Sequence, residues 1–153
     1  MDLELKQECL DTSELGEPQT LKQAEAAETI VPDYCPDIAR IISAEGVVCL
    51  HGGTEQDGVT GTVRVTVLYT PENESGVRAL EFAMPFSAQG EGLAGCAHVV
   101  VETEIELLES RMLNPRKIFT RCKLVTHLAG CRKVCLTISS DAETDPGLLV
   151  EKR

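Results

Sequence analysis

Apolar and polar positions alternate with a period of two over most of the chain. Such a period belongs to strands with one buried face. Leu3, Leu5 and Cys9 oppose Asp2, Glu4, Lys6 and Glu8 over residues 2–10, which predicts a short half-buried strand. Asp11 to Pro18 is polar with Ser, Gly and Pro and reads as a loop. Residues 19–30 have helix-forming composition but no apolar stripe at helical spacing, and are read as a strand ending near Val31. Val59, Val63, Val65, Val67 and Tyr69 alternate with Thr and Arg to give a long amphipathic strand. After the turn residues 71–76, Leu80, Phe82 and Met84 return as its hairpin partner, which Pro85-Phe86-Ser87 is expected to end.

Gln89 to Gly95 is a glycine-rich loop, followed by a strand with Val99, Val101, Ile105 and Leu107 on one face and Glu102, Glu104 and Glu106 on the other. Asn114-Pro115 marks a turn. Thr120, Cys122, Leu124, Thr126 and Leu128 then share one face of a strand that Gly130 should break, with residues 133–138 as a separate last strand. One segment departs from this period. Pro36 and Asp37 suit a first helical turn, and Ile38, Ile41 and Ile42 follow at i, i+3, i+4. A short helix is predicted near 36–43. The expected fold is mainly β: an antiparallel sandwich or partly open barrel of about seven strands in a single domain over 1–139, with a polar tail over 140–153.

Composition narrows the chemistry. The 153 residues carry 14 Lys and Arg against 25 Asp and Glu, a formal charge of −11, which disfavours nucleic acid and anionic membranes. Aromatic residues are 3% with no Trp, which counts against a glycan groove. The first residues show neither the basic nor the apolar region of a signal peptide, and no stretch approaches a membrane span. Seven cysteines, an odd number, are read as free thiols in a reducing compartment.

Ile30-Val31-Pro32-Asp33-Tyr34-Cys35-Pro36-Asp37-Ile38-Ala39-Arg40-Ile41, Gly61-Thr62-Val63 through Val67-Leu68-Tyr69, Pro85-Phe86-Ser87 and Leu113-Asn114-Pro115-Arg116-Lys117-Ile118 occur in this order. Together they resemble the SPOCS-type domain of SipL-like spore-envelope assembly proteins of endospore-forming Firmicutes. The resemblance implies a non-enzymatic interaction module without a cofactor, working in the mother-cell cytoplasm at the forespore surface. Its implied partners are other spore-envelope proteins, a SpoIVA-like coat basement protein among them, or further copies of itself. Larger members add a second module and a LysM module, which this sequence does not contain. Candidate contact residues are those in the two segments where the resemblance concentrates: Pro32, Asp33, Tyr34, Pro36, Asp37, Arg40, Asn114, Arg116 and Lys117.

Other motifs have weaker readings. Gly90-Glu91-Gly92-Leu93-Ala94-Gly95 matches GxGxxG but precedes a strand, whereas dinucleotide binding needs a helix there. Cys122, His127, Cys131 and Cys135 offer soft ligands and define the alternative of a small zinc- or thiol-dependent protein. Asp33 and Asp37 are read as turn- and helix-capping residues, with no catalytic pair inferred. The basic residues Arg116, Lys117, Arg121 and Lys123 are expected to face the Glu102–Glu106 ridge from a neighbouring strand.

Overall fold

The computed structural model describes residues 4–51 and 58–143. Seven strands follow in order: β1 (Glu4–Leu15), β2 (Gln19–Ile30), β3 (Ile38–His51), β4 (Gly58–Pro71), β5 (Arg78–Gln89), β6 (His98–Asn114) and β7 (Lys117–Glu143). All pairings are antiparallel. One sheet has the order β3-β4-β5. In the other, the first half of β7 lies between β2 and β6, while its second half pairs only with β1. The two sheets pack face to face. Val63, Val65, Val67 and Tyr69 of β4 and Leu80, Met84 and Phe86 of β5 meet Ile118, Cys122 and Leu124 of β7. A smaller cluster of Val59, Leu93 and Leu128 continues the core at the other end.

The strand read for residues 19–30 is present as β2, and the alternation read for 59–69 and 118–128 is realised, with every even residue of β7 from Ile118 to Leu128 buried. Thr120 and Thr126 enter this apolar face with their hydroxyls satisfied by Ser110 and Thr103 of β6.

The predicted helix is not there. Residues 33–35 form a turn, and β3 begins at Ile38. Two bulges account for the helical spacing: β3 gains an extra residue between Ile38 and Arg40 and another between Ile41 and Ser43. Each inserts one residue into the period of two, so Ile38, Ile41 and Ala44, spaced by three, all turn to the core. Ile42 lies in the second bulge and points out.

Other boundaries shift as well. β1 continues through the expected loop to Leu15, and its described residues other than Thr12 are exposed, so it is not half-buried. β5 runs through Pro85 to Gln89, with Phe86 and Ala88 on the same buried face as Met84. Proline is tolerated because β5 is an edge strand. Gly130 does not break β7. A Cβ there would lie 2.5 Å from Cys96 Sγ, so glycine admits the 90–97 loop against the strand. β7 also reaches Glu143, four residues into the expected tail; residues 144–153 lie outside the described residues, as do 1–3.

The expectation of seven free thiols is corrected for two. Cys9 and Cys135 form a disulfide, with Cα atoms 5.6 Å apart. Cys9 stands opposite Thr137, and Cys135 opposite Asp11, so the bond spans a diagonal of the β1–β7 ladder. Cys35, Cys49, Cys96, Cys122 and Cys131 are free.

Candidate functional site

At one end of the sandwich, the chain leaves β2 at Ile30, crosses over Val31–Asp37 and enters β3. The crossing is anchored at both ends, where Val31 and Ile38 are fully buried. The Val31 N–H donates to the Arg116 carbonyl (2.9 Å), and the Ile38 N–H donates to the Pro115 carbonyl (2.9 Å). Between them, the Cys35 N–H donates to the Pro32 carbonyl at 2.9 Å and closes a β-turn with Asp33 and Tyr34 at its corners.

A crossing loop has no sheet partner for its carbonyls, and Arg116 supplies one. Its Nη1 donates to the Cys35 carbonyl (2.8 Å) and Asp37 Oδ1 (3.0 Å). Its Nη2 donates to the carbonyls of Val31 (2.8 Å) and Pro32 (3.0 Å) and reaches Asp33 Oδ1 at 3.4 Å. The Pro36 carbonyl accepts instead from the Tyr69 hydroxyl at 3.2 Å. The planar fork of a guanidinium suits this task, since it aims several donors from one rigid group. Asn114 Oδ1 in turn accepts from the Arg116 N–H (2.8 Å) and fixes the turn that carries the arginine. Tyr69 is buried beneath the loop, and burial, with Cys35 beside it, raises its pKa above the ordinary 10.0. Burial, reinforced by Glu25, likewise raises that of Cys122.

Eight of the nine candidate residues therefore belong to this end. Pro32, Asp33, Tyr34, Pro36 and Asp37 form the loop, and Asn114 and Arg116 hold it. Lys117 instead pairs with Glu28 of β2. Arg40 stands apart, exposed on β3 with no side-chain partner among the described residues. Asp37 does not cap a helix; its carboxylate accepts from Arg116 and its carbonyl from the Glu72 N–H. The sequence reading missed Tyr69 as a support for the loop. It also missed exposed apolar residues at the same end: Ile30 at the end of β2, and Met112 and Leu113 just before the end of β6. Tyr34 on the loop's turn is 88% exposed.

The other candidates are dispersed. Cys122 faces the core, His127 bonds Thr20 on the outer face, and Cys135 is bonded to Cys9. Thirteen residues of extended strand between Cys122 and Cys135 span about 40 Å. Among the described residues no cluster of His, Cys, Asp or Glu could hold a metal. The expected basic face is only partly as read. Glu106 pairs with Lys22 of β2, Arg121 stands opposite Glu109, and Arg116 turns to the loop. Gly92 and Gly95 take positive φ in a loop that leads into β6, with no helix to receive a phosphate.

A groove of about 870 Å³ opens between β3 and β6, lined by Ile41, Ala44, Leu108 and Phe119. Two of its polar groups are engaged: Arg111 stacks on Phe119 with its guanidinium carbon 5.0 Å from the ring centre, and Ser110 bonds Thr120. No described helix is long and apolar enough to cross a membrane. No family model, curated protein or solved structure matches the chain.

Proposed function

We propose that this chain is a non-enzymatic protein–protein interaction module of the SPOCS type, acting in assembly of the spore envelope, and that the Tyr34 turn is its contact surface. One observation carries the surface: a tyrosine almost fully exposed on a turn whose two end carbonyls, those of Pro32 and Cys35, are held by a single arginine. Large aromatic residues on rigid supports are frequent binding anchors, because little conformational freedom remains to be lost on docking. Ile30, Met112 and Leu113 add exposed apolar area at the same end of the sandwich. The sporulation assignment draws on the resemblance of four segments that also touch in pairs. Arg116 of the last holds the loop of the first, Tyr69 of the second supports it, and Phe86 of the third covers Gly61 of the second.

The test compares the tagged chain with its Tyr34→Ala variant as bait in lysates of sporulating and of vegetative cells of a spore-former, read by mass spectrometry. Coat or envelope proteins are expected with the parent chain in the sporulating sample alone, and at least about tenfold less with the variant. Equal capture by both baits would remove Tyr34 from the surface. Absence of envelope proteins from the sporulating sample would remove the sporulation reading.

A further inference from the structure

The second half of β7 is built as a central strand but lacks one neighbour. Through Cys131 it is flanked on both sides, with the Gly130 carbonyl accepting from Gly16 on one side and the Cys131 carbonyl accepting from Ala97 on the other. Beyond that point β1 is its only partner among the described residues, and residues 6–15 and 132–139 form a two-stranded ribbon with both faces exposed. Two strands alone are marginal in water. Because backbone groups alternate sides along a strand, Lys133, Cys135, Thr137 and Ser139 direct their N–H and C=O groups to the open edge.

The side chains fit the same picture. From Val134 to Ser139 there is no charge and no proline, which leaves the edge without the devices that normally keep strands apart. One ribbon face carries Leu10, Val134, Leu136 and Ile138, with Leu10 53%, Leu136 52% and Ile138 44% exposed. The charges Glu8, Asp11 and Glu14 sit on β1, the far strand. This distribution, uncharged from Val134 to Ser139 inside and net acidic over β1 outside, is that of a four-stranded sheet with two β7 strands at its centre.

We propose that the open edge of β7 pairs antiparallel with the same edge of a second copy, giving a closed two-fold dimer with strand order β1-β7-β7-β1. With the axis at Leu136, that residue meets its own copy and Val134 meets Ile138, so the apolar face becomes continuous across the join. Cys135 and Thr137 of opposite copies exchange backbone hydrogen bonds. The repulsion between two acidic chains is reduced because the acidic β1 strands lie outermost, and each Lys133 comes beside Ser139 of the other copy, one strand from its Gln7.

Sedimentation velocity over a wide concentration range tests this, with circular dichroism as a check on folding. The parent chain is expected to reach twice the monomer mass and to grow no further. Thr137→Pro removes one outward N–H without touching the β1 ladder, and Leu136→Lys puts a charge at the axis. Each should weaken association at least tenfold with an unchanged spectrum. Leu136→Cys should give a covalent dimer on mild oxidation, since directly opposite antiparallel residues hold Cβ atoms about 4.5–5.5 Å apart. Tyr34→Ala should dimerise as the parent does, which separates this surface from the proposed partner site. A monomer at every concentration, open-ended growth, or association indifferent to both edge substitutions would overturn the proposal.

Discussion

Arg116 and Val31 bind each other twice: the Val31 N–H donates to the Arg116 carbonyl, and the Arg116 guanidinium donates back to the Val31 carbonyl. The first bond ties the loop to the turn at 115–116. The second lets the same side chain reach the Pro32 and Cys35 carbonyls. One side chain thus stands in for a sheet partner at three carbonyls of the crossing.

Arg116→Ala is expected to lower stability by about 2–4 kcal/mol, because several carbonyls lose their donor together. Arg116→Lys should recover only a minor part, since an ammonium keeps the charge but loses the fork. Urea denaturation of the two variants checks this; a lysine variant as stable as the parent would contradict it.

Tyr69→Phe should cost about 1–2 kcal/mol by leaving the Pro36 carbonyl unpaired. It should also change the alkaline limb of stability. The raised pKa values of Tyr69 and Cys122 mean that folding favours their neutral forms. That contribution is complete below the ordinary values of 10.0 and 9.0 and is lost as pH rises past them. The parent should therefore weaken from about pH 9 upward, more steeply than a Tyr69→Phe, Cys122→Ala double variant. Parallel curves for the two proteins would be the contrary result.

Gly61→Ala is expected to destabilise by about 1–3 kcal/mol through overpacking. Its Cβ would lie 2.6 Å from Phe86 Cζ and 2.8 Å from the Cys49 carbonyl oxygen. In a Phe86→Leu background the penalty should shrink without vanishing, because the carbonyl cannot move away. Thermal melts of the double-mutant cycle give the answer.

Cys9→Ser should reduce global stability by about 2–5 kcal/mol with an unchanged near-native spectrum of the sandwich, since the bond closes a sequence separation of 126 and constrains the unfolded chain. Locally, amide exchange should speed up in residues 6–15 and 132–139 and stay slow in β4. Uniform acceleration throughout would mean that the ribbon and the sandwich unfold as one unit.

Strand faces that pack the core were legible in the sequence, because Val63, Val65 and Val67 or Cys122, Leu124 and Leu128 can repeat at two only in extended chain. Ile38 and Ile41 misled for a physical reason: two bulges imitate a helical spacing over one short stretch. Strand ends were hidden wherever a supposed breaker was harmless, as with Pro85 on an edge strand and Gly130 under Cys96. For the candidate site, the segments named from the resemblance meet at one end of the sandwich, where Arg116 reaches the 31–37 loop. That Arg116 would meet Val31, Pro32 and Cys35 could not be read, since backbone carbonyls leave no mark in a sequence. Of β1 the alternation over residues 2–10 showed the strand, but not its run on to Leu15 nor the exposure of both its faces, because Asp11 to Leu15 carries no apolar period.

Glu4 stands opposite Glu143 at the tip of the β1–β7 ribbon, so the described chain starts and finishes side by side. Tension between those two points would act across the ladder and peel it rung by rung, the weak direction for a hydrogen-bonded sheet. The peel would run only as far as the Cys9–Cys135 bond. There the load would pass into a covalent link, and the sandwich behind it would feel none of the pull.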